Sequence, residues 1–468
     1  VYAIASRKES IMRLNPYLLK ATLTGALGGL LFGFDTVVIS GALDSLVKLY
    51  GLSAQGKGWT VAIALIGTVI GSLGAGVAGQ RLGGRETLRI TAGLYIVSAL
   101  GSALAWSWPA LMVFRAVGGL AIGASSVLGP VYITDLSPAK WRGRMVGTFQ
   151  FNVVFGILLA YVSNYAVRLL HLGAAEWRWQ VGIAAAPAVG FLVLLYSIPR
   201  SPRWSVSHHD IEEALEVLRR MGDPDPQAEV REIRMALALE HASAHESLLQ
   251  WKYRYPLFLA ISIGLFNQLT GINAILYYLP NIFSAAGFSQ ISGDQQAIVI
   301  GLTNLAFTMA GMALIDRIGR KTLLLIGAAG TAGCLAGVAW IFQTNSHPAA
   351  LLGLLMVYSA FFAVSQGAVI WVYIGEVFPN AVRSKGQGAG NAAHWIMNTA
   401  IALEFPVAVH RMSSATPFVF FAAMTAAQFV VVLLAYPETK GQSLEQLQRR
   451  LVGDVLEAQV EWKATTRR

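Results

Sequence analysis

Charge is what this chain has least of. Of its 468 residues only 13% are Asp, Glu, Lys or Arg, against 55% hydrophobic, where a soluble domain averages about a quarter charged. That balance excludes an ordinary soluble enzyme. Cysteine is almost missing too: Cys334 stands alone, which rules out an intrachain disulfide and any two-cysteine redox motif. The chain shows no nucleotide-binding motif, no low-complexity tract and no metal-spaced cluster of His and acidic residues, so neither cofactor nor metal is expected. It shows no nucleophile–base pair either, and the reading is not an enzyme.

Long apolar runs stand in their place. Twelve of them, near 17–42, 59–79, 88–107, 110–133, 146–166, 179–198, 256–283, 297–315, 322–343, 350–374, 386–408 and 416–436, approach or exceed the roughly 20 residues that cross a bilayer core. The expectation is an all-α polytopic membrane protein of twelve transmembrane helices. The 35 Lys and Arg fall unevenly on the two sides of these spans. One side holds 29; the other holds five (Lys48, Lys57, Arg168, Arg178 and Arg411), and Arg115 lies inside a span. The positive-inside rule then places both termini and the long central loop in the cytoplasm of a multi-pass cell-membrane protein. The net charge of +10 is thus a matter of topology, and no nucleic-acid partner is expected.

The chain repeats once. Asp135-Leu-Ser-Pro-Ala-Lys-Trp-Arg142 and Glu376-Val-Phe-Pro-Asn-Ala-Val-Arg383 share an acid-x-x-Pro-x-x-x-Arg spacing, at an offset of 241 residues. Arg81-Leu-Gly-Gly-Arg85 returns as Arg317-Ile-Gly-Arg-Lys321, offset by 236. Two six-helix pseudo-repeats follow, 1–198 and 256–438, related by an axis along the membrane normal. Residues 199–255 form a cytoplasmic helical linker, with helices expected at Ile211–Met221, opened by Asp210 and Glu213 in capping-box spacing, and at Val230–Leu239. Residues 439–468 are a cytoplasmic tail.

Ionisable groups inside hydrocarbon are costly and mark candidate functional sites. Asp35 in the first span and Arg115 in the fourth lie at similar depth, on the order of 10 Å below the outer face at helical rise. Their pairing has two readings, a static salt bridge or a proton switch in which Arg115 lowers the carboxyl pKa until the two separate. The switch is favoured, because a carboxylate without that task is easily replaced by Asn. The later spans carry neutral groups instead: Asn267, Gln268, Asn273, Tyr277 and Tyr278 in span 7, Asn304, Trp371, and His394-Trp395, with Gln150 in span 5. Gln268, Asn273 and Tyr277 are spaced for adjoining faces of one helix. Amides offer donor and acceptor together and indole faces suit sugar C–H surfaces, so the set fits a neutral polyhydroxyl ligand. Each amide taken alone fits interhelical hydrogen bonding equally well. His394 can titrate or serve as a neutral hydrogen-bond partner.

Taken in order, Gly33-Phe-Asp35-Thr-Val-Val-Ile-Ser-Gly41, Phe114-Arg115-Ala-Val-Gly-Gly119, Asn267-Gln-Leu-Thr-Gly-Ile-Asn273-Ala-Ile-Leu-Tyr-Tyr278, Asp316-Arg-Ile-Gly-Arg320-Lys, Glu376-Val-Phe-Pro-Asn-Ala-Val-Arg383 and Pro437-Glu-Thr-Lys-Gly441 resemble the sugar porter family of the major facilitator superfamily. The likeness runs over nearly the whole chain and is greatest to its bacterial proton-coupled branch. It implies Asp35 as proton acceptor and Arg115 as its partner. It implies sugar ligands Gln150, Gln268, Asn273, Asn304, Trp371 and Trp395, with Phe32, Phe362 and Gly367 lining the cavity. Tyr277 and Tyr278 would belong to an outer gate. Asp135/Arg142, Asp316/Arg320 and Glu376/Arg383 would be inner salt bridges that favour the outward-open state. Asn267 and His394 depart from the family's residues at their positions and bear on the choice of sugar. Gln80 and Gly84 depart in the first inner loop, which implies a weaker latch there.

The reading is a proton-coupled importer of a monosaccharide, a hexose with glucose as the first candidate, working by alternating access as a monomer in the lipid bilayer. Its rivals are a sugar uniporter without coupling and a sugar sensor that does not transport.

Overall fold

The computed structural model describes residues 15–138, 141–243, 246–442, 446–447 and 450–452; the rest of the tail expected from 439 lies outside the described residues. These are helical, with no strand among them. The first six spans are α1 (Pro16–Tyr50), α2 (Ala54–Leu82), α3 (Gly84–Ala103), α4 (Trp108–Leu136), α5 (Arg142–Leu169) and a pair of short helices, α6 (Glu176–Gly182) and α7 (Ala185–Leu195). The linker carries α8 (Pro202–Ser207), α9 (Ile211–Arg220) and α10 (Pro226–Ser243). The second six are α11 (Arg254–Leu269) with α12 (Ile272–Ala285), α13 (Gln290–Ile318), α14 (Arg320–Thr344), α15 (Ala350–Phe362) with α16 (Ala368–Glu376), α17 (Arg383–Arg411) and α18 (Thr416–Ala435).

Ten of the twelve segments are each long and apolar enough to cross a membrane. The other two are α3, which opens on Arg85, Glu86 and Arg89, and α17, which carries Asn391, His394 and Asn398; they pack on α4, and on α2 and α11, respectively. Leu73, Leu104, Val193 and Leu434 are each more than 60% exposed, an apolar exterior that only lipid covers at no cost.

Small residues set the helix crossings. Gly67 and Gly71 on α2 meet Gly119 and Gly123 on α4: a Cβ on Gly119 would lie 2.0 Å from the Ala64 carbonyl, and one on Gly123 2.2 Å from that of Thr68. Two four-residue glycine spacings thus face each other, as close backbone packing in lipid requires.

The linker follows its sequence signals at α9. By contrast, α10 opens four residues before the expected Val230, with Pro226 in its first turn, and α8 adds a short helix that the sequence reading lacks. Asp210 caps α9 by accepting from the Glu213 N–H at 3.1 Å, while the Glu213 carboxylate accepts from Ser205 instead of completing the box. Loss of that cap in Asp210→Ala is expected to cost about 1 kcal/mol. The check is thermal unfolding in detergent, with Glu212→Ala as the neutral control; equal melting of the two variants would remove Asp210 as a cap. Farther along, hydrogen bonds from Lys252 and Tyr253, both 2.5 Å, hold the Glu246 carboxyl below the ordinary carboxylate range. Lys385 at the start of α17 donates to the Glu246 carbonyl at 2.7 Å, which ties the linker to the second half.

The halves touch along α1–α12, α2–α17 and α5–α13. Below, the end of the bundle that bears the linker is the linker end, and the opposite one the far end.

Candidate functional site

The polar centre of the second half is built around a broken helix. Span 7 is not one helix: α11 stops at Leu269 and α12 starts at Ile272. Gly271 makes the break, with φ 82°, and a Cβ there would lie 2.3 Å from the Phe421 ring on α18. Both conditions select glycine. Tyr358 donates to the Thr270 carbonyl at 2.9 Å, satisfying a group the break releases. Gln268 and Asn273 therefore stand on two helices either side of a kink, not on adjoining faces of one. The kink lets them meet: Asn273 Nδ2 donates to Gln268 Oε1 at 3.2 Å, and Gln268 Nε2 to Asn267 Oδ1 at 3.1 Å.

Residues from α17, α16 and α1 complete the cluster. Gln268 Nε2 lies 3.2 Å from His394 Nε2. The His394 ring sits between Trp371 and Trp395, at 5.1 and 5.0 Å between centroids. Trp395 in turn faces Phe32 on α1 at 5.7 Å, so the cluster spans the boundary between halves. Gln268 is 1% exposed and Trp371 42%. Trp395 Nε1 is buried without a hydrogen-bond partner, a donor of the kind that a buried site keeps for a ligand.

Other positions stand apart from these hydrogen bonds. Gln150 is on α5, and Asn304, buried on α13, accepts from Thr308 at 3.5 Å. Phe362 shares the apolar core of Trp395, Tyr277 and Tyr278. Gly367 ends a π-helical segment, Ala363–Gly367, between α15 and α16, where an extra residue per turn re-aims the chain.

Two amides escaped the sequence reading. Asn398 donates to the Tyr277 hydroxyl at 3.0 Å and keeps a buried, unpartnered oxygen. Its place one helical turn after His394 was the available signal. Gln366, within the π-helical segment, is buried with neither end of its amide bonded. Tyr278 donates to the Ala402 carbonyl at 2.8 Å and stacks on Phe405. Tyr278 also lines a cavity of about 660 Å³ at the far end, together with Lys57, Asn281 and Phe405.

In the first half, Asp35 and Arg115 are both buried, 7% and 3% exposed. No ion pair within 4 Å joins them among the described residues, and Asp35 Oδ2 and Arg115 Nε each lack a partner. The Asp35 carboxylate lies against Gly118, three residues on from Arg115, where an added Cβ would be 3.1 Å from Oδ2. The pairing expected from sequence is open in this conformation.

At the linker end, Arg320 opens α14 within reach of two acids. It donates to Asp316 at 2.9 Å and to Glu376 at 2.7 Å, and Thr439 donates to Glu376 at 2.6 Å. Glu376 is therefore engaged by Arg320, where the resemblance pairs it with Arg383; Arg383 donates to the Phe378 carbonyl. Asp135, matched with Arg142 in sequence, accepts from Ser201 at 2.6 Å, and Arg142 is exposed. Neither of these two pairs, which the resemblance implies for the outward-open state, is formed in this conformation. The counterpart in the first half centres on Glu86, which the sequence reading passed over; it takes Arg85 at 2.6 Å and Arg89 at 2.8 Å.

Among the described residues no group of His, Cys, Asp and Glu could hold a metal ion. The arrangement comprises an amide–imidazole–indole cluster at the centre and a buried, separated acid–base pair in the opposite half.

Comparison with known proteins bears on this arrangement. Residues 21–451 match the family described as sugar (and other) transporter. The chain is similar to the D-xylose-proton symporter of Escherichia coli (strain K12), 34% identical with 93% of this chain and 96% of that one covered. It is similar to the galactose-proton symporter of the same organism, 32% identical with 91% and 93% covered. Among solved structures it resembles the inward open conformation of the xylose transporter XylE from E. coli, with TM-score 0.83, 33% identity, and 92% and 99% covered.

Proposed function

Because the chain belongs to the sugar transporter family, whose members are membrane carriers and not enzymes, we propose that it imports a monosaccharide together with a proton by alternating access. The observation that carries this reading is the juxtaposition across the half–half boundary: the Gln268–Asn273–His394–Trp395 cluster abuts Phe32 on the same helix that holds Asp35. A sugar's hydroxyls both donate and accept, which matches amides and a buried indole N–H. The buried carboxylate of Asp35 is set apart from that cluster, near the helix that carries Arg115, where a proton can bind without competing with sugar.

The cycle follows from charge. With Asp35 ionised, Arg115 is its cheapest partner in a low-dielectric interior. Protonation removes that attraction, so the two helices are free to part, and the separated pair seen here matches the protonated stage. The linker end takes the cytoplasmic side, from the Lys and Arg count, and the far end the outside. Rocking of one half against the other then exposes the site alternately. The sugar of choice is a hexose, with glucose first. Asn267 and His394, the two polar neighbours of Gln268, are the positions on which that choice turns.

Uptake of labelled glucose into proteoliposomes under an imposed inward proton gradient tests the reading. Accumulation above the outside concentration, collapsed by a protonophore, is the expected result. Uptake that only equilibrates would make the protein a uniporter, and uptake confined to xylose or galactose would replace glucose as substrate.

A further inference from the structure

Neither the central cluster nor the linker-end ion pairs explain a second charged network, at the far end. Arg168 lies in the last turn of α5, in the first half. Its guanidinium reaches both halves: Glu176 at 3.1 Å and the Gly41 carbonyl at 3.2 Å on its own side, and Asp294 and Gln290 (3.4 Å) on α13 of the other. The side chains of Arg168 and Asp294 are only 12% and 2% exposed. Gln290 passes the connection on, its nitrogen donating to Asp44 of α1 at 3.2 Å. Asp44 also accepts from Asn281 of α12 at 2.6 Å and lies 3.6 Å from Lys57. Beside them Gln295 donates to Tyr165 at 2.9 Å, again across the boundary.

The contrast with the linker end gives the network its meaning. There, Arg320 with Glu376, and Glu86 with Arg85 and Arg89, stay within one half. At the far end the charges cross. An ion pair that crosses must break whenever the halves part there, and the loss falls on groups already removed from water. We propose that Arg168 and Asp294, coupled through Gln290 to Asp44, are positioning residues that latch the far end shut and so set the balance between the two access states. This rests on the alternating-access reading above, and it adds to the sugar and proton sites a third locus that binds neither.

The test reads conformation without requiring transport. Cys334 is the sole cysteine and is buried, so Cys334→Ala provides a cysteine-free background. Ser40→Cys in that background puts a reporter one helical turn below Asp44, at a position 3% exposed here. A membrane-impermeant maleimide added at the far end should label it slowly. Arg168→Met and Asp294→Asn should each raise the rate at least tenfold, and the charge-reversed pair Arg168→Asp/Asp294→Arg should restore slow labelling. Should the charge variants fail to reach the membrane, Gln290→Ala and Asp44→Asn must still speed labelling. Unchanged rates in well-folded variants would overturn the latch, and so would an exchanged pair that labels as fast as the single variants. The two readings fail separately: faster labelling in a protein that moves no sugar would sink transport alone, and coupled uptake with unchanged labelling would sink the latch alone.

Discussion

Asp35→Asn is expected to abolish accumulation of sugar against its gradient while leaving sugar exchange across the membrane intact. Asn has nearly the shape of Asp and keeps a hydrogen-bonding oxygen, so the packing against Gly118, where Oδ2 would be 3.1 Å from an added Cβ, survives. What Asn cannot do is change charge. With a neutral residue at position 35, Arg115 loses the partner that distinguishes the ionised from the protonated carrier, and the free energy of the proton gradient no longer biases one direction of rocking. The hydrogen bonds of the central cluster lie in the other half and include neither residue. The measurement pairs proton-driven uptake with counterflow in the same proteoliposomes. Undiminished accumulation would remove Asp35 from the coupling. Loss of counterflow together with uptake, in protein that is folded, would make Asp35 part of the sugar site or of the scaffold.

Gln268→Ala is expected to weaken sugar binding by about 1–3 kcal/mol, the cost of leaving buried polar groups unpaired, or roughly five- to 150-fold in affinity. Gln268 is the hub of the cluster. It donates to Asn267 at 3.1 Å, accepts from Asn273 at 3.2 Å and lies 3.2 Å from His394. Its removal deletes the hub and frees its three neighbours to turn from their present geometry. Equilibrium binding in detergent is the suitable readout, because it is insensitive to coupling; Asp35→Asn should leave it unchanged. If Gln268→Ala binds sugar as the parent does, the cluster is interhelical glue and the ligand sits elsewhere.

Much of this molecule was legible before any coordinates. Hydropathy is local, so the twelve apolar runs and the linker helices could be read along the chain, and α9 begins where Asp210 signals it. The polar residues stranded in apolar runs were visible for the same reason: a polar group in hydrocarbon is conspicuous by its cost. Reading failed where a helix is interrupted or where an acid chooses among several bases. The gap after Leu269 needs both a glycine backbone at φ 82° and the Phe421 ring from α18, 150 positions later. Glu376, which the resemblance pairs with Arg383 in the outward-open state, here binds Arg320, which the start of α14 delivers to it.

The sequence alone, then, determined that the chain lives in a membrane, how often it crosses, and which polar side chains it keeps there. These follow from transfer free energies, which ten of the twelve segments carry by themselves, and from the alternation of basic loops that brings in α3 and α17. The tertiary structure decided what those side chains meet. Gln268 reaches His394 and Arg168 reaches Asp294 over the same separation, 126 residues, and no periodicity records a contact at that range. Such pairs exist because packing fixes how far each helix slides along its neighbour, as where Gly264 of α11 meets the Gly390 backbone of α17, and a shift of one turn would exchange one set of partners for another.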